Sequence, residues 1–253
     1  MKTFTKNKPA ASSKPRHKGY VLYEGPSALD GQPIVVIATM ETSNAKTGDM
    51  VQTWVLCADT EPHHATKSGK DSSVCGNCPQ RHYNGGACYV VTHQAPLSIY
   101  RSYKRGLYPV YNASSHADAF KGRALRLGAY GDPAAAPFEI WQPLVELAAK
   151  HTGYTHQLTN AAFDDRFLSI CQVSADTPKQ AQRFQSLGAK TFRVALPTDH
   201  LADNEIECLA DSSGISCIDC GLCDGQSKNI AIVVHGQRAN NFKSNLINVL
   251  EVA

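Results

Sequence analysis

Seven of the nine cysteines fall into two sets whose spacing suits metal chemistry. Cys75, Cys78 and Cys88 stand in the polar, glycine-bearing stretch DSSVCGNCPQRHYNGGACYV, from Asp71 to Val90. Cys217, Cys220 and Cys223 form CxxCxxC in SCIDCGLCDG, with Cys208 nine residues upstream. Thiolates two residues apart can wrap one centre, because a turn between them aims both sulfurs inward. The cysteine count is odd, and the N-terminus MKTFTKNKPAASSKPRHKGY lacks the apolar stretch of a secretory leader. A disulfide framework is therefore not expected, and a reducing, cytoplasmic setting is.

Four thiols can close a tetrahedral zinc site or hold one cubic iron–sulfur cluster, and consecutive two-residue gaps follow the ferredoxin-like arrangement. The first set has three thiols and two readings. A [4Fe–4S] cluster on Cys75, Cys78 and Cys88 leaves one iron open to a small molecule. A zinc site needs a fourth ligand, for which His63, His64, His82 and Cys57 are the candidates. Cys171, inside the apolar run FLSICQVS, reads as a small core residue. His151, His156 and His235 could ligate metal or carry protons, and GYTHQ places His156 mid-strand. Arg126 and Arg193 lie inside apolar strands, where a guanidinium needs an anionic ligand or an internal carboxylate. The basic run SYKRG reads as a solvated helix face.

The elements that must position these residues follow from periodicity. Runs at Tyr20–Tyr23 and Pro33–Met40 around Asp30-Gly31 predict a β-hairpin. DMVQTWVLCAD predicts a strand ending near Cys57, and ACYVVT another after the first thiols. PLSIYRSYKRG has helical spacing. From about residue 115 the pattern alternates: strand ALRLGAY, an amphipathic helix PFEIWQPLVELAAKHTG begun at Pro137 and closed by Gly153, strands YTHQLT and FLSICQVS, helix TPKQAQRFQSLG capped by Thr177 and Gly188, then strands KTFRVAL, EIECLA and NIAIVVHG. NNFKSNLINVLE predicts a closing helix. The expectation is a single α/β domain over 19–253 carrying both metal sites, with residues 1–18 a flexible basic tail. Strand–helix–strand units imply a mainly parallel sheet. A partial or distorted parallel (β/α) barrel is the first choice and an open sheet the second, with functional residues at the C-terminal strand ends.

The segment LRLGAYGDPAAAPFEIWQPLVELAAKHTGYTHQLTNAAF runs from a strand through a glycine turn to a helix and a strand ending in Thr159-Asn160. It resembles the GGEP stretch of radical S-adenosylmethionine (SAM) enzymes. The usual thiol spacing there is CxxxCxxC and the turn carries Glu; here CxxC is followed by a nine-residue gap, and Asp132 stands in the turn. The resemblance implies a degenerate radical SAM core in which the turn Ala129, Tyr130, Gly131, Asp132 and Pro133 contacts SAM. It implies that Cys75, Cys78 and Cys88 hold the reactive cluster, and that Cys208, Cys217, Cys220 and Cys223 hold an auxiliary one. The motifs SVCGNCPQR, CYV, GAYGDPAA, GYTHQ, FRV and CGLCDG together also resemble a cysteine-rich family carried by bacteriophages and plasmids, over most of the chain from about residue 19. That second resemblance implies an origin and no activity.

Charged residues make up 19% and the formal net charge is +3, which excludes a chain that is basic throughout for nucleic acid. No apolar run reaches the length of a membrane span. The function expected is iron–sulfur binding with SAM as a second cofactor. The alternative is a zinc module that engages nucleic acid or a host or phage protein. A chain begun at Lys18 is expected to keep its thermal midpoint within about 2 °C of the full chain's, since ~1 kcal/mol moves a chain of this size by roughly that much or more. A larger drop in calorimetry would show that the tail packs on the body.

Overall fold

Five consecutive buried residues, Ile34–Ala38, make the second strand a central one covered on both faces. A computed structural model describes residues 17–235 and 239–242. The predicted tail thus lies almost wholly outside the described residues, as does most of the closing helix, of which 239–242 are helical. The predicted hairpin is present: β1 (Gly19–Pro26) pairs antiparallel with β2 (Pro33–Thr39), Glu24 opposite Val35. At the turn Gly31 takes φ of 75°, and Asp30 Oδ1 accepts from Gln32 N at 3.0 Å.

β3 (Val51–Cys57) runs antiparallel to β2 and parallel to β4 (Ala124–Tyr130), which pairs parallel with β5 (Lys150–Thr152). The first sheet is therefore mixed, in the order β1-β2-β3-β4-β5. A second sheet is wholly parallel, in the order β6-β7-β8-β10-β9: β6 (Tyr154–Thr155), β7 (Gln172–Ala175), β8 (Thr191–Ala195), β9 (Glu205–Glu207) and β10 (Asn229–Val233). Only Gly153 separates β5 from β6, and its carbonyl accepts from Gln172 N at 2.9 Å. The class is α/β, as the alternation of predicted elements implied.

Helices fill the connections. Between β3 and β4 lie α1 (Pro62–Ser68), α2 (Ser72–Cys75), α3 (Ala95–Lys104) and α4 (Ala113–His116). Between β4 and β5 lies α5 (Phe138–Leu147), and between β7 and β8 lies α6 (Pro178–Ser186), whose Thr177 cap accepts from Gln180 N. α7 (Leu209–Ser212) and α8 (Cys217–Cys220) follow β9. The core centres on β2, β3 and β4 with Trp141 of α5 fully buried, its indole N–H donating to Pro133 O at 2.9 Å.

Several predicted boundaries move. The helix begun at Pro137 stops at Leu147, because Ala148 turns extended and 150–152 pair with β4; helical periodicity did not reveal that ladder. YTHQLT is strand only over Tyr154–Thr155, so His156 stands past the strand end, not mid-strand. ACYVVT forms no strand: Cys88 N donates to Gln80 O within its own loop. FLSICQVS begins as a short 3₁₀ turn, Asp165–Ser169, before β7. EIECLA is strand through Glu207 only.

The question posed by Arg193 is answered internally. Its side chain is 1% exposed, and Nη2 lies 2.7 Å from Oε2 of the equally buried Glu205, with Asp199 at 3.3 Å. Burial pushes the Glu205 carboxyl up, but the guanidinium and the Ala202 N–H outweigh it, and its pKa lies below the ordinary value. A lowered folded-state pKa contributes stability above the unfolded value, and that stability is lost as pH falls through the folded value. Glu205→Gln is therefore expected to cost about 3 kcal/mol near pH 7, as for a broken buried pair. In denaturant titrations the gap to the parent chain should begin to narrow below about pH 4 and close as pH falls through the lowered folded value, where the glutamate becomes neutral. An equal gap at both pH values would refute the assignment.

Candidate metal centres

The loop after β3 delivers the first thiols. Short α2 ends at Cys75, where Gly76 takes φ 54°, ψ −131°, a conformation that side chains avoid. That lets the chain double back so that Cys78 N donates to Cys75 O at 3.2 Å. Arg81 binds the loop to itself: Nη2 donates to Gly69 O at 2.6 Å and pairs with the buried Asp71, and Nη1 donates to Gly76 O at 3.2 Å. Cys88 returns by its backbone bond to Gln80.

Neighbouring strand ends then close on this loop. At the end of β4, Gly131 (φ 77°) leaves no room for a Cβ, which would sit 2.5 Å from Val55 O. Asp132 N donates to Val74 O at 2.6 Å. The Asp132 carboxylate accepts from Ala134 N at 3.0 Å, His156 N at 2.8 Å and Gln157 Nε2 at 3.2 Å. Gln157 Nε2 also donates to Cys75 O at 3.0 Å. Beyond β7, Asp176 accepts from Gln80 Nε2 at 2.8 Å and faces the His156 imidazole at 3.9 Å. The C-terminal ends of two parallel strand pairs, β3 and β4 of the first sheet and β6 and β7 of the second, meet at this one set of thiols.

The second set lines a hollow of about 340 Å³, its open mouth included, together with Thr152, Tyr154 and Ile230. Cys208 follows β9, its N–H donating to Ala231 O at 2.8 Å. Cys217 N and Ile218 N donate to Lys46 O and Thr47 O, in the segment entering β3, and Gly153 N donates to Cys223 O. This loop therefore rests on strand starts, where the sequence led us to expect strand ends.

Six buried side-chain nitrogen or oxygen atoms among the described residues lack a hydrogen-bond partner, and half of them, Tyr130 Oη, His156 Nε2 and Arg81 Nε, belong to residues that interact with the first thiols. Buried orphans are rare and call for an unseen polar or charged group. Burial, then the charges of Cys78, Asp71 and Cys88, pushes the Cys75 thiol far up; burial takes Cys88 to about 11. Burial raises Cys217, against the Arg126 guanidinium, and takes Cys223 to about 12, against a bond from Tyr154. Thiols so raised stay protonated near pH 7, and a metal ion would have to displace their protons to bind.

Spacing separates the candidates. A tetrahedral zinc with bonds of about 2.3 Å sets its sulfurs about 3.8 Å apart. A four-iron cubane sets them about 6 Å apart. Among the described residues, only Glu61, His63 and His64 bring three ligand atoms within 4.8 Å of one another. No trio of thiols among the described residues does.

Of the four candidates for closing a first zinc site, only His82 touches the set. His63 and His64 group with Glu61, His82 Nε2 lies 2.8 Å from Cys88 O, and Cys57 donates to Lys70 O. His151 is held by Asp224 O at 3.1 Å, and exposed His235 lies beside Lys46 and Asp211. Cys171 is fully buried in the core, under Gly153. Arg126 has no ion-pair partner among the described residues: Nη2 donates to Tyr89 Oη at 2.7 Å, and Cys217 and Tyr154 lie in its field. Sequence reasoning missed Gln80, Arg81, Gln157 and Asp176, which carry no spacing signal; their one shared mark is a place just past a strand or thiol.

Compared with protein-family models, curated proteins and solved structures, the chain has no match.

A Cβ at Gly76 would collide with the Gln157 carboxamide, so Gly76→Ala should strip metal from the first set and leave the second loaded. Cys220→Ser should do the reverse, lowering metal content and solubility together. Metal analysis of the two variants checks both; unchanged metal in either refutes the corresponding set.

Proposed function

We propose that this chain is an iron–sulfur protein with two cluster sites, the first of the radical SAM kind. The observation that carries the reading is the first set itself: three thiols on one loop, beside buried polar atoms without hydrogen-bond partners and the Gly131–Pro133 turn. In this reading Cys75, Cys78 and Cys88 hold three corners of a [4Fe–4S] core and leave the fourth iron to SAM, while Cys208, Cys217, Cys220 and Cys223 hold an auxiliary core. With both groups bound, such a site supplies one-electron reductive cleavage of SAM.

The chain's own residues have definite parts. The β3–β4 loop, fixed by Arg81 and Asp71, holds Cys75 half-buried. Asp132 and Gln157 hold the Cys75 carbonyl against the end of β6. Ala129, Tyr130, Gly131, Asp132 and Pro133 form the wall for the SAM methionine group, and the orphaned Tyr130 hydroxyl is the free donor of that wall. Arg126 and Tyr89 stand between the two thiol sets and face the space where a substrate would lie. The run of parallel strands from β3 to β10 then serves as the partial barrel, and the reducing cytoplasm of a cell hosting a mobile element is the setting that suits exposed clusters.

Anaerobic purification with iron, zinc and sulfide analysis tests the reading. Brown protein with iron and sulfide in near-equal amounts is expected, with a reduced-state paramagnetic signal that shifts when SAM is added. A colourless zinc protein would favour the module that binds nucleic acid or a host protein. A coloured protein whose signal ignores SAM would retain the clusters and remove the SAM chemistry.

A further inference from the structure

Glu61, His63 and His64 lie ahead of the first thiols in the loop after β3, and no cysteine belongs to their group. Their ligand atoms all fall within 4.8 Å of one another. The backbone fixes them: Pro62 opens α1, and Glu61 O accepts from His64 N and Ala65 N, each at 2.9 Å. Glu61 divides its carboxylate. Oε1 accepts from Arg101 Nε of α3 at 2.9 Å, while Oε2 faces His63 Nε2 at 3.7 Å, too far for a hydrogen bond. The two imidazoles lie with ring centroids 4.0 Å apart at a tilt of 44°. His63 Nδ1 is buried without a hydrogen-bond partner. One carboxylate oxygen and two rings thus converge without satisfying one another.

We propose that Glu61, His63 and His64 bind one divalent first-row transition ion, at a site separate from both thiol sets. Two imidazole nitrogens and one carboxylate oxygen form a borderline donor set, which favours zinc, cobalt or nickel over magnesium or calcium. Bonds of about 2.0–2.2 Å draw such atoms closer than they now lie, and exposed His64 can turn to close the set. Arg101 already holds the outer carboxylate oxygen, as the hydrogen-bonding partners of metal ligands do. Three protein ligands leave coordination positions for water or a small oxygen-donor ligand. The ion would tie α1, through Glu61 and Arg101, to α3, and so brace the loop that delivers Cys75. The site does not depend on what the thiols hold.

Cobalt(II) added to the full chain, isolated with its thiol sites loaded, is the probe. The parent chain should take up one more equivalent than the His63→Ala/His64→Ala variant. That equivalent should show weak visible ligand-field bands without thiolate-to-cobalt charge transfer. His64→Ala alone, at an exposed position, should weaken its binding by at least about tenfold with the thermal midpoint unchanged, so the test survives if the double variant fails to fold. Equal uptake and affinity in the parent chain and His64→Ala would overturn the proposal. So would cobalt bands that all carry thiolate charge transfer. Absence of iron and sulfide from the isolated chain would refute the cluster reading and leave this one standing.

Discussion

One buried carboxylate holds the edge of the sheet together. Asp132, 7% exposed, has no cation against it; its oxygens accept from the backbone of residues 134 and 156 and from Gln157, while its own N–H donates to Val74. Burial raises its pKa, and those donors work against the rise. An uncompensated carboxylate at this depth is tolerated only when donors surround it. Those donors come from separate connections, so ionised Asp132 requires the β4 end, the β6 end and the α2 turn to be in register together. Glu would reach one methylene further and could not keep the same three bonds without moving a loop. The shorter acid at this turn is therefore a geometric choice.

The same economy explains why the thiols are raised and not paired. Arg81 beside Cys75 is claimed by Asp71, and the His156 imidazole stands against Cys78 and Cys88, its pKa well above the ordinary value because burial is outweighed by Cys78 and Asp176. The protein also places anions, Asp71, Asp132 and Asp176, behind this set of soft ligands. In low dielectric such an arrangement is costly unless something of high positive charge completes it. The second set is balanced differently, with Arg126 and Lys46 in the field of Cys217. The two sets thus have different charged neighbours.

Much of this was legible beforehand. The hairpin with its Asp30-Gly31 turn, the strand ending at Cys57, the capped α6 and the α/β class follow from local pattern and turn chemistry, which need no tertiary information. Where pattern failed, pairing had decided. Residues 150–152 carry helical periodicity yet lie between ladders, because β4 and the second sheet both needed an edge there. For the metal centres, spacing identified the thiols but not their supports. Gln157 and Asp176 are ordinary residues in sequence, and only the parallel topology brings them beside Cys75 and Cys78. His156 was noticed for its chemistry and misplaced by one element boundary, which moved it from a strand face to the thiol loop.

Arg126 shows how far the two centres depend on each other. The first loop rests on strand ends, and the second rests on the segment entering β3, so the width of the sheet lies between them. Arg126 sits mid-strand in β4 and spans part of that width: Tyr89, next to Cys88, accepts its hydrogen bond, and Cys217 lies in its field. A guanidinium whose hydrogen bond goes to a phenol keeps donors to spare. Such a fork suits a carboxylate or phosphate. The strand that carries it is pinned at its end by Asp132, so the carboxylate that assembles the first site also fixes the reach of this arginine toward the second.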